Sequence, residues 1–179
     1  MIFAIVIFLV VLFVILVNNN MAIKVIYTFL LGIFLAVFVG VGIAAFYPEP
    51  KYPEAPIAIK YGGTDMSKES QLTPETKAQI EKYDQEEKAY LVESRKYNRN
   101  ASIIALIAAI IVVAVSLTWF KTILVIADGT LLGGVLTLSY SVIRGFGTED
   151  NMFRFIIVSI GLFVSLFLGY VKFIIPTKK

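Results

Sequence analysis

Cysteine and histidine are both absent from this chain, and only 16% of its residues are charged. Without cysteine there are no disulfides, thiolate metal sites or thiol nucleophiles, and without histidine the commonest general base and metal ligand is missing too. An intramembrane aspartyl protease would need two aspartates within membrane spans, whereas Asp128 is the one acid inside an apolar run. A serine protease of the rhomboid kind would need histidine. The expectation is therefore not an enzyme, with no catalytic residue, no cofactor and no metal site. A net charge of +3 is small, and no basic run is interleaved with aromatics as a strand-binding groove requires, so nucleic acid is not expected as a partner.

What the chain has in quantity is apolar surface: 58% of its residues are hydrophobic, too many for an ordinary water-soluble domain. A bilayer core about 30 Å thick is crossed by roughly 20 helical residues. Counted from Val25, the sequence holds four such runs. The fold class expected is all-α, an integral membrane helical bundle of four spans with a long helical extramembrane segment between the first two. Residues 1–20 carry a shorter apolar run, Ile2 to Val17, ending in Asn18-Asn19-Asn20. It reads either as a possible fifth, N-terminal span or as a segment upstream of a start at Met21. It lacks both the preceding charge and the small-residue cleavage site of a secretory signal.

Residues 21–47 form the clearest membrane helix, with Lys24 at one end and Phe46 and Tyr47 at headgroup level at the other. Gly32, Ala36, Gly40 and Ala44 recur every four residues, a small-residue stripe that lets a neighbouring helix approach closely. Residues 48–100 are extramembrane. Pro48, Pro50, Pro53 and Pro56 stop the helix and predict an extended, polyproline-II-like spacer. Thr73-Pro74-Glu75 then combines a capping hydroxyl, a proline suited to the first helical position and a carboxylate at the positive helix end. No proline or glycine follows before Gly129, so one helix is predicted to run from Pro74 straight into the next span. Tyr83, Tyr90 and Tyr97 lie seven apart on it as a candidate partner surface. Their stripe suits pairing with a second copy or, preferably, a tyrosine edge resting on the chain's own bundle or on headgroups.

Residues 101–175 are expected to form three further spans, and 176–179 a basic tail. Asp128 is a candidate functional residue together with Lys121 and Lys172, because an acid within a span needs a partner. Three arrangements stay open: a buried functional carboxylate paired with Ser116 or Thr118, a structural hydrogen bond at the same place, or a turn made by Asp128-Gly129 itself. Gly129, Gly133 and Gly134, with nearby threonines and serines, make a broad packing face. Thr148 is placed to cap the last span, where Gly161, Ser165 and Gly169 repeat at four-residue intervals and Lys172 continues the face near the far end.

Lys24, Lys121, Lys172, Lys178 and Lys179 fall on one side of such a bundle, in short flanks. That concentration favours cytoplasmic termini, counted from Met21, with 48–100 extracytoplasmic in a multi-pass cell-membrane protein. The pattern of Phe46-Tyr47-Pro48-Glu49-Pro50-Lys51-Tyr52-Pro53, a charged helix, and Ala127-Asp128-Gly129 with Gly133-Gly134 resembles uncharacterised small multi-span membrane proteins of bacteria with reduced genomes. The resemblance implies a bacterial membrane protein and no assigned activity. The function expected is structural or adaptor: the chain assembles, with itself or other membrane proteins, through small-residue faces and presents its helical extramembrane segment. The alternative is a transporter or channel component handling ions or protons at Asp128.

Overall fold

A computed structural model describes residues 21–56 and 73–174. The readings for residues 1–20 and for the basic tail fall outside the described residues. Four helices account for nearly all the rest: α1 (Met21–Phe46), α2 (Pro74–Thr118), α3 (Leu124–Phe146) and α4 (Asn151–Gly169), the last continued by a π-helical turn, Tyr170–Ile174. Each is long and apolar enough to cross a membrane. Their outer surfaces carry large exposed side chains such as Phe34, Phe38, Leu162 and Phe163. Apolar area on that scale is tolerated in lipid and not in water, and the chain is an integral membrane protein.

The 45 residues of α2 form one unbroken helix about 67 Å long at 1.5 Å per residue. Its start follows the expected chemistry, with Thr73 Oγ1 accepting from the Thr76 amide at 3.3 Å and proline in the first turn. Half the helix is charged and stands outside the bundle, while the other half is a membrane span. A 3-10 turn, Phe120–Thr122, then reverses the chain into α3.

Helix α3 is the hub, packed against α1, α2 and α4. Its contact with α1 is parallel and reciprocal. Leu31 and Leu35 of α1 lie over Gly129 and Gly133, while Leu132 of α3 lies over Gly32. A Cβ added to any of these glycines would meet a leucine carbon within 3.0 Å, so a larger residue there would force the leucine or its helix to shift. The contact with α2 is antiparallel. Val113 sits against Gly134, Ser116 Oγ donates to the Ala127 carbonyl at 2.7 Å, and Ser102 and Ser141 each donate to the other's carbonyl at 2.8 Å. Both serines of this clasp are fully buried. Ser141→Ala is expected to lower stability by about 1 kcal/mol, read from the detergent-unfolding midpoint. The core between α2, α3 and α4 is Leu106, Ala109, Leu138, Phe153 and Ile157; a second cluster, Ile43, Tyr97, Ala101 and Ala105, ties the far end of α1 to α2.

Two of the small-residue stripes pack only in part. Gly32 is in contact, but nothing lies within 4 Å of a Cβ at Gly40, and Ala44 is exposed. Ala36 is half-buried at the edge of the contact. On α4, Gly161 is buried, Ser165 is exposed and Gly169 faces open space. Positions four apart advance about 40° around a helix, so a strict four-residue stripe rotates out of its interface within three steps. The true contact lines mix steps of three and four: Thr28, Gly32, Leu35, Val39 and Ile43 on α1, and Phe153, Ile157, Val164 and Leu168 with Gly161 on α4.

The loop before α4 also departs from expectation. Asp150, not Thr148, is its N-cap, with Oδ1 accepting from the Met152 and Phe153 amides at 3.0 and 3.2 Å. Thr148 instead donates back to the Gly145 carbonyl at 2.8 Å, closing the end of α3. Glu149 between them takes φ 57°, a left-handed conformation, and its carboxylate pairs with Arg95 of α2.

Candidate functional site

Asp128 lies in the second turn of α3 and not in a turn of the chain. The Asp128-Gly129 turn is therefore corrected: the reversal is complete by Ile123, five residues earlier in the chain. The physical reason is twofold. Gly129 is needed inside the helix beneath Leu31, and the carboxylate has a partner that removes the cost of a lone charge. That partner is Lys172, whose Nζ donates to Asp128 Oδ1 at 2.5 Å. Ser116 and Thr118 do not serve it, since they donate to the carbonyls of Ala127 and Ala114. The ion pair extends the antiparallel α3–α4 register set by Gly145 against Phe153 and Leu138 against Gly161. The two side chains are 37% and 39% exposed, which places the pair at the rim of the bundle's helices and not in its core. Lys121 lies in the backbone of the 3-10 turn, and its side chain is outside the described residues.

The densest polar cluster is at the opposite end of α3, around Arg144. Arg144 Nε donates to Tyr140 Oη at 3.0 Å, and Nη1 donates to Asn98 Oδ1 at 3.0 Å and to Glu49 Oε1 at 3.3 Å. The guanidinium also lies 5.3 Å from the Tyr97 ring and 5.6 Å from the Tyr140 ring, within cation–π range. Tyr97 in turn stacks on Tyr47 with centroids 5.2 Å apart, and Asn100 Nδ2 donates to Tyr47 Oη at 2.9 Å. One arginine thereby joins α3, the stalk base of α2 and the chain leaving α1. Because Glu49 is half-exposed, its ion pair adds under about 1 kcal/mol. The neutral hydrogen bonds and stacked rings, each about 0.5–1.5 kcal/mol, are the larger part.

The proline segment continues from this cluster along the stalk. Tyr52 Oη donates to Glu87 Oε1 at 2.8 Å, lies 3.1 Å from Tyr83 Oη, and meets the Tyr90 ring edge-on at 4.9 Å. The fit follows from rise per residue. Five residues of proline-rich extended chain at about 3.1 Å each cover about 15 Å, and ten residues of α-helix at about 1.5 Å cover the same length. Tyr47 on Tyr97 and Tyr52 between Tyr83 and Tyr90 satisfy both measures. The spacer is thus a strap on the stalk. The tyrosine stripe is not an open partner surface, since Tyr83 and Tyr97 are buried and Tyr90 half-buried against the chain itself.

Hydrogen bonds to Tyr83 and then Glu87 hold the Tyr52 phenol well above its ordinary value of 10.0. A group whose docked value is raised contributes stability below its undocked value and loses it as pH rises. Strap docking is therefore expected to be intact up to pH about 10 and to weaken above it. The difference in phenolate absorbance between wild type and Tyr52→Phe should be absent at pH about 10, where a free tyrosine is half ionised.

Sequence reasoning placed Tyr47 at headgroup level and Tyr97 on the tyrosine stripe but assigned nothing to Arg144. The available signal was Tyr140 and Arg144 at helical i, i+4 spacing beside a span end. Among the described residues, no three histidine, cysteine, aspartate or glutamate side chains gather as a metal site requires. No protein-family model, curated protein or solved structure matches this chain.

Proposed function

We propose that this protein is a membrane-anchored scaffold that holds a rigid helical stalk, Pro74 to about Arg99, outside the bilayer for a partner protein. The observation that carries the reading is continuity: α2 belongs to the buried bundle at Ala101, Ala105 and Ala109 and continues without a break into the charged stalk. The strap and the Arg144 cluster brace that junction from two other segments. A flexible tether would need none of this. The stalk's exposed face, including Lys88 and Val92, is the surface offered, on the side of the membrane opposite cytoplasmic termini. Photo-crosslinkers at Val92 and Lys88 should give one discrete adduct with the same neighbour in cells. Equal labelling of many proteins, or adducts with lipid alone, would count against the scaffold.

A second reading, ion or proton handling, is favoured by the Asp128–Lys172 pair alone. The scaffold reading predicts that proteoliposome proton flux is unchanged in Asp128→Asn, and that stability falls by no more than about 1 kcal/mol because the pair is part-exposed. A flux present in wild type, lost in Asp128→Asn and kept in Asp128→Glu would establish transport instead.

A further inference from the structure

The outward face between α3 and α4 carries an open groove of about 430 Å³, walled by Ser139, Val142 and Ile143 on one side and Val158, Leu162 and Ser165 on the other. Both serine hydroxyls are occupied within their own helices: Ser139 Oγ donates to the Val135 carbonyl at 3.0 Å and Ser165 Oγ to the Gly161 carbonyl at 2.8 Å. The groove therefore offers apolar surface to whatever fills it.

Reading back along α4 from Ser165 through Leu162 and Val158, the next position on the same face is Arg154. It does not line the groove but lies one helical turn beyond Val158, toward the stalk. Its Nη2 donates to the Phe146 carbonyl at 2.6 Å and Nη1 to Asn151 Oδ1 at 3.3 Å, with the guanidinium 5.8 Å from the Phe146 ring. Its Nε is buried and has no acceptor. Among the described residues no carboxylate pairs with Arg154 or with Arg99, which lies 5.4 Å from the Phe153 ring, whereas Arg95 and Arg144 at the same end pair with Glu149 and Glu49. A positive charge without a carboxylate partner thus stands one helical turn from the apolar slot.

We propose that the groove and Arg154 together form a site for one phospholipid with an anionic headgroup, its phosphate on the guanidinium and an acyl chain along the slot. The occupant must bring negative charge at the level of Arg154 and apolar length below it, and a phospholipid does both in one molecule. A second copy of this chain fits less well. The acids it would present at that level are committed: Glu49 to Arg144, Glu149 to Arg95, and Asp150 to the amides that start α4.

The test is native mass spectrometry of the detergent-solubilised full chain, titrated with phosphatidylglycerol and, separately, phosphatidylcholine. One phosphatidylglycerol should bind at about tenfold lower concentration than phosphatidylcholine, and Arg154→Gln should remove that preference. Val158→Trp, which fills the slot while leaving the arginine, should weaken both lipids. Arg154→Lys should keep part of the preference, which separates lost charge from misfolding, and Arg95→Gln, whose charge is committed to Glu149, should change nothing. Several lipids bound without regard to headgroup, or an Arg154→Gln variant that binds as wild type does, would overturn the proposal. So would a dimer that Val158→Trp dissociates, which would give the groove to a second copy.

Discussion

Replacing Gly133 with leucine is expected to detach α1 from the bundle and to lower stability by about 1–3 kcal/mol, the cost of overpacking a close contact. A Cβ at Gly133 would stand 2.7 Å from Leu35 Cδ2 and 2.9 Å from Leu35 Cβ. The leucine tip can swing aside; its Cβ moves only with the backbone of α1. Against this, leucine in place of glycine gains about 0.8–1 kcal/mol of helix propensity, so the net sign is set by the contact. Gly40→Leu isolates that propensity term, since nothing lies within 4 Å of its Cβ, and should be neutral or stabilising. Leu35→Ala combined with Gly133→Leu should recover part of the loss, a coupling that a double-mutant cycle in detergent unfolding measures.

Arg144→Met is expected to be the most damaging single change at the stalk base, at about 2–3 kcal/mol. It leaves Asn98 and Tyr140 without their arginine hydrogen bonds, Glu49 without its counter-ion, and two aromatic faces without their cation. Glu49→Gln should cost less than about 1 kcal/mol, because its ion pair is half-solvated. Both variants should leave the proline strap held by the Tyr47–Tyr97 and Tyr52–Tyr90 contacts, which do not involve Arg144.

The spans and the long α2 were legible because they depend on local quantities: run length, hydropathy, and the absence of proline or glycine between Pro74 and Gly129. Gly129, Gly133 and Gly134 were legible as packing residues for the same reason. Which of the other small residues pack was not, because helix rotation selects among equally spaced positions, and Gly40 and Gly169 rotate away from their neighbours. The partner of Asp128 was hidden by distance along the chain: Lys172 lies 44 residues away on another helix. The Arg144 cluster draws on Glu49, Asn98 and Tyr140 from three segments, none of which is unusual alone. The docking of the strap on α2 was not foreseen for a different reason. Proline clusters were read as a spacer leaving the membrane, whereas extended chain advances twice as far per residue as helix and so matches alternate turns of α2.

The central claim is that α2 is one rigid body from the bundle to the stalk, and the absence of cysteine makes it directly measurable. Spin labels at Glu81→Cys and Thr118→Cys, both exposed positions, give an intramolecular distance in lipid bilayers without background labelling. A continuous helix predicts a single narrow distribution near about 55 Å at 1.5 Å per residue. A broad distribution, or one centred well below that value, would mean that the stalk bends or detaches at the membrane surface and would contradict the scaffold.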